Sequence, residues 1–283
     1  APRCPPATCA SNSVCIDDVC QSCDVCVSGC FFSTLQAAVD AAAPEETIRV
    51  CAGIYAGDIV VNQSVRLIGA GDGLGAGNTL LQGSGTDTVV TIEAGNTVSL
   101  QSLRIAGGST SFGGGIRNFG SLELTDCTIT GNTATNFGSG IDNSGTLKLT
   151  GCTVSGNVAM ASQGGGIRND GTMTLTGCTV SGNTAGAGGG IYNFFGTGEL
   201  INSTVSGNTA DFGGGIFNNG GMVTLDAASR VTGNDADPTV PDSGGGIFNQ
   251  VGTVPLGSAD NVSGNTPDNC APNGAVPLCQ DPP

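Results

Sequence analysis

Cysteines are the side chains of this sequence best suited to covalent or metal chemistry, and there are 13 of them. Cys20, Cys23 and Cys26 follow one another at intervals of three, a spacing that could serve a metal knuckle or a redox pair. Dense cysteines in a short, helix-poor segment are more typical of disulfides in a secreted protein. We therefore predict structural disulfides, and no metal ion, for the cysteines near the two termini. The candidates are Cys4, Cys9, Cys15, Cys20, Cys23, Cys26, Cys30, Cys51, Cys270 and Cys279.

Arg117, Asp142 and Arg168 form the second group with chemical potential, at spacings of 25 and 26 residues. A basic residue beside a carboxylate could abstract a proton, or the three side chains could form a cross-strand ion ladder. The chain has no histidine, which excludes Ser-His-Asp and Cys-His catalysis and imidazole zinc ligands. Glycoside hydrolysis requires two neighbouring carboxylates. Asp126 has no carboxylate at the equivalent position of the next two repeats, because glycine stands there 25 and 51 residues later. We predict no catalytic residue and no cofactor.

Charge and hydropathy restrict the partners. Eight basic and 23 acidic residues give a net charge of −15, which repels nucleic-acid phosphates and anionic membrane surfaces. The acidity is expected to serve solubility, with weak divalent-cation binding as the alternative. No apolar run approaches the roughly 18 residues of a membrane span, so we expect neither nucleic acid nor a membrane span. Hydrophobic residues make up 38 % of the chain and charged residues 11 %, which is too apolar a composition for a disordered protein.

A repeat of about 25 residues must position these groups. The motif Gly-Gly-Gly-Ile occurs six times, once as Gly-Ser-Gly-Ile, and its isoleucines are spaced by 25, 26, 24, 25 and 31 residues. One asparagine stands two residues after each isoleucine, and a second series ends the pattern Thr-Val-Ser-Gly-Asn. Six copies at one period indicate a solenoid in which equivalent side chains stack. The two predicted asparagine ladders are Asn118, Asn143, Asn169, Asn193, Asn218 and Asn249, and Asn132, Asn157, Asn183, Asn208, Asn234 and Asn265.

Within each repeat the hydrophobic pattern has a period of two. Leu147 and Leu149 alternate with polar residues, which is typical of a strand with one buried face. Glycine clusters mark the corners, and no segment could supply a crossover helix, so successive coils must stack as parallel strands about 4.8 Å apart. The sequence therefore predicts an all-β, right-handed parallel β-helix of roughly eight or nine coils. Cys127, Cys152 and Cys178 share one repeat position and are predicted to form an interior cysteine ladder.

Three parts are expected along the chain. Residues 1–30 would form a cysteine-rich arm, residues 31–269 the β-helix with an N-terminal capping helix, and residues 270–283 a disulfide-bearing C-terminal cap. A solenoid must cover the exposed strand edges at both of its ends. Ser33 is the expected N-cap of a short amphipathic helix that Pro44 terminates.

Two outward stripes are expected to run along the solenoid. Tyr192, Phe217 and Phe248 continue the repeat position of Arg168 and form a candidate contact stripe. Three interpretations of it stay open: the rings stack on each other or lie under the loop inserted near residues 235–243, they meet a partner or a second subunit, or they stack on sugars. The second stripe is an array of hydroxyl groups similar to ice-binding faces, although its serines weaken that analogy. Its members are Thr128, Thr130, Thr153, Ser155, Thr179, Ser181, Thr204 and Ser206.

The segment at residues 32–42, together with Ile48-Arg49-Val50 and Gly53-Ile54-Tyr55, resembles the opening of pectin-lyase-like β-helix proteins. The Gly-Gly-Gly-Ile-x-Asn and Thr-Val-Ser-Gly-Asn repeats resemble those of bacterial secreted and surface β-helix proteins. These include polymorphic outer-membrane-protein-like repeats, which usually carry Phe-x-x-Asn where this chain has Val-Ser-Gly-Asn. The resemblance covers roughly residues 31–270 and implies the fold and its capping helix. It leaves the function open, since lyases, hydrolases and adhesins share this fold.

We expect a non-enzymatic extracellular structural protein, either a rigid β-helical rod or a filament subunit that assembles head to tail. Its partners would be copies of itself or cell-surface components, with glycans as a further option. The chain begins at Ala1 rather than methionine, which favours a mature secreted product with an extracellular or cell-surface location. One alternative is an adhesin or carbohydrate-binding β-helix. The other is a polysaccharide lyase, because lyases of the resembling family combine acidic calcium ligands with a basic proton abstractor.

Overall fold

The computed structural model describes residues 13–16, 19–27, 29–75, 77–160, 162–240, 242–272 and 275–279, and for residues 13–16 and 19–21 it describes the backbone alone. These residues form an all-β parallel solenoid of about nine turns with one short α-helix near the N-terminus. The predicted all-β parallel solenoid is confirmed. Cys4 and Cys9, two of the predicted disulfide cysteines, lie outside the described residues.

Most coils contribute one strand to each of three parallel ladders, which we name after a residue type that they bury. The isoleucine ladder consists of Ile59–Val61, Val90–Ile92, Ile116–Asn118, Ile141–Asn143, Ile167–Asn169, Ile191–Phe194, Ile216–Leu225, Ile247–Thr253 and Cys270–Ala271. The leucine ladder consists of Glu46–Arg49, Val65–Ile68, Thr97–Gln101, Ser121–Thr125, Thr146–Thr150, Thr172–Thr176, Thr197–Ile201 and the second half of Ile216–Leu225.

The valine ladder closes the third side of each coil with nine strands. They are Gly53–Ala56, Thr79–Gln82, Arg104–Ala106, Thr128–Thr130, Thr153–Ser155, Thr179–Ser181, Thr204–Ser206, Arg230–Thr232 and Val262–Ser263. Nine strands at a spacing of about 4.8 Å make a stack about 40 Å long.

Further strands lie in the loop that leads from the valine ladder to the next isoleucine strand. They are Ser109–Phe112, Thr133–Phe137, Val158–Ala159, Thr209–Ala210 and Asp235–Ala236. A two-stranded hairpin, Ser13–Ile16 with Val19–Ser22, precedes the solenoid, and a 3-10 turn spans Ala259–Asn261.

The register of the coils follows the repeat residue by residue. Ile141 pairs with Ile116 on one side and with Ile167 on the other, and every pair in these strands is parallel. Alternate residues of each strand face inward, so Leu147 and Leu149 are each at most 1 % exposed. Because the three strands of a coil turn their apolar faces toward one axis, a single hydrophobic core runs along the solenoid.

The short helix Leu35–Ala41 covers the N-terminal end of the core with the buried residues Leu35, Ala38 and Val39. Thr34, rather than the predicted Ser33, is its N-cap: Thr34 is extended and its hydroxyl accepts a hydrogen bond from the amide of Ala37. The helix begins one residue later than the sequence suggested, which moves the capping position with it. None of the helices in the described part of the chain is long and apolar enough to span a membrane.

Candidate functional site

The outer column is the set of side chains that point outward one position after each repeated isoleucine. Parallel pairing places these residues in register along the isoleucine ladder. Its members, in order, are Arg117, Asp142, Arg168, Tyr192, Phe217 and Phe248. The three charged residues and the three aromatic residues that the sequence singled out therefore belong to one continuous column.

A glycine in each repeat folds the preceding loop down onto the outer column. Gly138 has φ +59° and Gly188 has φ +62°, the left-handed region that favours glycine. A Cβ at Gly138 would lie 2.8 Å from Cα of Asp142, and a Cβ at Gly188 would lie 2.9 Å from Cα of Tyr192. The first glycine of the Gly-Gly-Gly-Ile motif is thus required by a close backbone approach. Its consequence is that outward side chains of a strand become covered by the same chain.

Burial along the outer column is accordingly high. Asp142 is 4 % exposed, Tyr192 3 % and Phe217 7 %, while Phe248 is half-buried. The sequence predicted an outward stripe here and left open what would meet it. In the structure the rings of Tyr192, Phe217 and Phe248 stack on each other and the glycine loops close over their strand.

The charged half of the column is an ion cluster around the buried carboxylate of Asp142, with half-buried arginines on either side. Nη1 of Arg168 donates to Oδ1 of Asp142 at 3.0 Å, and Nε of Arg117 lies 3.9 Å from Oδ2 of the same carboxylate. Nη2 of Arg168 also approaches Oδ2 of Asp170 at 3.4 Å. Burial raises the pKa of Asp142, and the two guanidinium groups counteract that effect only in part.

Aromatic rings complete the surroundings of both guanidinium groups. The guanidinium carbon of Arg117 lies 5.1 Å from the ring centre of Phe112. That of Arg168 lies 4.9 Å from the ring centre of Phe137. The aromatic rings lie against the faces of the guanidinium groups. Nε of each of these two arginines is buried and has no hydrogen-bond partner. Phe112 and Phe137 were not predicted as part of this site, although their 25-residue spacing matches the repeat and could have identified them.

Asp142 is poorly placed for chemistry on an external substrate. Both of its carboxylate oxygens face arginine side chains, and the residue is almost fully covered. A general acid or base must come within hydrogen-bond reach of its substrate. The arrangement of Arg117, Asp142 and Arg168 is suited instead to an electrostatic crosslink between three neighbouring coils.

The aromatic half of the column is held by ring stacking. The ring centres of Tyr192 and Phe217 are 5.1 Å apart with planes at 20°, and those of Phe217 and Phe248 are 4.9 Å apart at 21°. The amide of Asn219 donates to the hydroxyl of Tyr192 at 3.1 Å. Phe212, from the covering loop, meets Phe248 edge to face at 5.5 Å. These aromatic side chains fill the space under the covering loops.

The two asparagine series occupy two corners of the coil as hydrogen-bonded ladders. In the first, the side-chain amide of each asparagine donates to the carbonyl of the next, as Asn143 does to Asn169 at 2.8 Å. In the second series Asn183 donates to Asn208 at 2.9 Å, and the backbone amide of Asn183 donates to the same oxygen. Every member of both series is buried. The ladders therefore satisfy buried polar groups that would otherwise destabilise the corners.

The interior cysteines lie in one column and are not disulfide-bonded. Cys127, Cys152 and Cys178 are buried, and the amide of Cys127 lies 3.4 Å from the sulfur of Cys152. Ser203 and Ser229 continue the column. The hydrogen bond with Cys127 raises the pKa of Cys152 to about 12, and the bond with Cys152 also raises that of Cys178. A thiol that stays protonated and buried is a poor nucleophile.

Among the side chains that the structure describes, three disulfides join cysteines near the ends of the solenoid. Cys23 bonds to Cys51, Cys26 to Cys30, and Cys270 to Cys279. Cys15 and Cys20 are paired positions in the backbone register of the hairpin, where the structure describes the backbone alone.

The hydroxyl stripe lies on the outer face of the valine ladder. Thr128, Thr153, Thr179 and Thr204 are in register, and Arg230 ends the row. The second row runs in parallel through Thr130, Ser155, Ser181 and Ser206.

No family model matches the chain, and neither a curated protein nor a solved structure matches it. The strand register shows the solenoid fold, whereas membership of the pectin-lyase-like superfamily remains a prediction from the quoted motifs.

Proposed function

We propose that the protein is a non-enzymatic extracellular structural rod. The observation that carries this proposal is the pair of buried asparagine ladders, each of which continues through six coils without a break. A solenoid whose neighbouring coils are crosslinked at two corners resists bending and local unwinding along its whole length.

The N-terminal end of the rod is closed by its own chain. Gln36 of the helix exchanges two hydrogen bonds with the backbone of Val60, at 2.9 and 3.1 Å, along the first strand of the isoleucine ladder. Asp24 bonds the backbone of Arg49 beside the first strand of the leucine ladder. The disulfide between Cys23 and Cys51 fixes this segment to the first coil. These contacts occupy part of the outer strand edges of the isoleucine and leucine ladders.

The C-terminal end is closed in a comparable way. The strand Cys270–Ala271 pairs with Ile247 and Phe248, and the disulfide to Cys279 holds the last described turn against the core. Asn269 accepts from Asn265 and extends one asparagine ladder into this cap. The partial covering of the strand edges at both ends favours a rod that stays monomeric over a filament that grows head to tail through bare strands.

The disulfides and the net charge support an extracellular setting. Disulfides persist in oxidising compartments such as the extracellular space, and a charge of −15 keeps a rod dispersed. The adhesin alternative loses support as far as it depends on Tyr192, Phe217 and Phe248, since Tyr192 and Phe217 are almost fully covered. A lyase built on Asp142 would need a substrate to reach a carboxylate that is 4 % exposed.

Light scattering after size-exclusion chromatography, combined with electron microscopy, tests the proposal. We expect a single species of 27.7 kDa with rod-shaped particles whose length does not change with concentration or with a reductant. Fibres that lengthen with protein concentration would contradict the monomeric rod and support the head-to-tail filament. Unsaturated products from uronate polysaccharides with added calcium would contradict the non-enzymatic assignment.

A further inference from the structure

A cavity of about 250 Å³ opens on the outer face of the valine ladder near the N-terminal end. Its floor is formed by Ile54, Leu80 and Arg104, which are direct neighbours on three adjacent strands. A glycine-rich loop overhangs them and contributes Leu74 and Asn78 to the lining. The cavity thus combines exposed apolar side chains, Ile54 and Leu74, with one cationic side chain.

The overhanging loop is held in place by several hydrogen bonds. The amide of Gly71 donates to the carbonyl of Ser102 at 3.1 Å. The carboxylate of Asp72 accepts from the hydroxyl of Thr128 at 2.7 Å, which ties the loop to the fourth strand of the ladder. The loop that borders the cavity is therefore anchored where it begins, through the adjacent residues Gly71 and Asp72.

Arg104 differs from the other half-buried arginines in the described residues. Arg49 pairs with Asp24, Arg117 and Arg168 share Asp142, and Arg230 donates to two backbone carbonyls. The guanidinium of Arg104 has no hydrogen-bond or ion-pair partner among the side chains that the structure describes. Asp72, the carboxylate of the overhanging loop, is engaged by Thr128 and forms no ion pair with it.

An unpaired guanidinium at the edge of an apolar cavity matches one class of ligand. Arginine recognises carboxylates through two parallel charge-assisted hydrogen bonds, while Ile54, Leu74 and Leu80 offer apolar contact. A volume of about 250 Å³ corresponds to about eight water molecules in the liquid, so the ligand has on the order of ten non-hydrogen atoms. The net charge of −15 opposes polyanions.

We propose that this cavity is a binding site for a small monocarboxylate with an apolar body, held by the guanidinium of Arg104. The site is separate from the outer column and independent of the proposed role as a rod. Affinity is expected in about the millimolar range, as for other ligands of this size.

Titration calorimetry with benzoate as the probe tests the site on the full chain. Benzoate should bind the wild-type protein, whereas benzamide, its uncharged counterpart, should bind at least about tenfold more weakly because charge-assisted hydrogen bonds are lost. The Arg104→Gln variant should lose at least about tenfold in benzoate affinity, and Arg104→Lys should lie between the two. Arg66→Gln is the matched control, since Arg66 is exposed on the leucine ladder, and it should bind benzoate as the wild type does.

Three results would overturn the proposal. One is the absence of saturable benzoate binding to the wild-type chain in about the millimolar range. Another is equal affinity of the wild type for benzoate and benzamide. The third is unchanged benzoate affinity in both Arg104 variants, with circular dichroism showing that they are folded. Each would leave the rod proposal untouched, because that proposal depends on assembly state.

Discussion

The two halves of the outer column have the same backbone and different chemistry. Arg117 and Arg168 form an ion cluster with the buried Asp142, whereas Tyr192 and Phe217 begin a ring stack at the same repeat position. In both halves a left-handed glycine closes the loop over the column. The comparison shows that the coil geometry covers Asp142, Tyr192 and Phe217 alike, while charge pairing or ring stacking can each supply the stabilising contacts.

The corner after each asparagine also differs between the halves. Asn143 bonds the carbonyl of Gly145, two residues on, whereas Asn193 bonds that of Gly196, three residues on. The extra residue in the aromatic half brings Phe194 to 5.5 Å from the guanidinium of Arg168 and 6.3 Å from the ring of Tyr192. Phe194 therefore joins the two halves of the column.

The largest effect is expected in the aromatic half. Phe217→Ala should lower the free energy of unfolding by about 3–5 kcal/mol, because it removes a covered ring from the middle of a stack. Urea denaturation at neutral and acidic pH should give the same loss, since no charge is involved. Phe195→Ala, at a ring that is 66 % exposed, is the control and should cost less than about 1 kcal/mol. A strongly pH-dependent loss for Phe217→Ala would contradict the distinction between the halves.

The corresponding change in the charged half should depend on pH. Arg168→Met leaves Asp142 buried with its more distant partner Arg117, and should lower the free energy of unfolding by about 3 kcal/mol at neutral pH. Protonation of Asp142 in acid removes the poorly compensated charge, so the loss should shrink as the pH falls. Arg66→Met, at an exposed residue, should stay within about 0.5 kcal/mol of the wild type. A loss that does not change with pH would show that packing, and not charge, dominates this half.

The glycine that brings the loop onto the column should contribute similarly to the stability of both halves. Gly138→Ala and Gly188→Ala each add a Cβ within 2.8 Å of neighbouring backbone atoms and should cost more than the roughly 1–2 kcal/mol of a left-handed alanine. Gly207→Ala isolates that backbone cost, because Gly207 has φ +61° and open space around its Cβ position. Thermal unfolding of the three variants gives the comparison. If Gly207→Ala were as destabilising as the other two, close approach would not be the reason for these glycines.

The smallest effect concerns the titration of Asp142. Burial raises its pKa in the folded chain above its ordinary 3.8, so the folded state keeps the proton at pH values where the unfolded state has released it. The contribution of Asp142 to the free energy of unfolding should therefore fall as the pH rises from its ordinary pKa through the raised one. Urea denaturation of wild type and Asp142→Asn across this range should show that the free energy of unfolding of the wild type falls relative to that of the variant as the pH rises. A difference in the free energy of unfolding between the two proteins that does not change with pH would contradict a raised pKa for Asp142.

The sequence was sufficient for the coil, because the repeat encodes it many times. Ile141 and Ile167 recur with glycine, asparagine and alternating leucine at fixed offsets, and these offsets predict the strand register that the structure has. The asparagine positions were likewise visible from spacing, because side chains at equivalent positions of stacked coils must meet.

Coverage of the outer column was harder to foresee. Alternation shows that Tyr192 points away from the core, but it does not show that the loop before Gly188 folds back over it. That fold depends on the path of an irregular segment, for which the sequence has no periodic signal. The cavity at Arg104 was missed for the same reason, since the glycine-rich loop at residues 70–75 belongs to no repeat.

Chemical modification of tyrosine tests the coverage of the outer column most directly. The chain has two tyrosines, and both are buried: Tyr55 is 4 % exposed and Tyr192 3 %. Acetylation with N-acetylimidazole, followed by peptide mass spectrometry, reports each of them separately. We expect both to stay unmodified in the native protein and to react after denaturation in urea. Native Tyr192 that reacts as fast as it does in the denatured chain would show that the aromatic half is an open surface, and would contradict its role as a covered structural column.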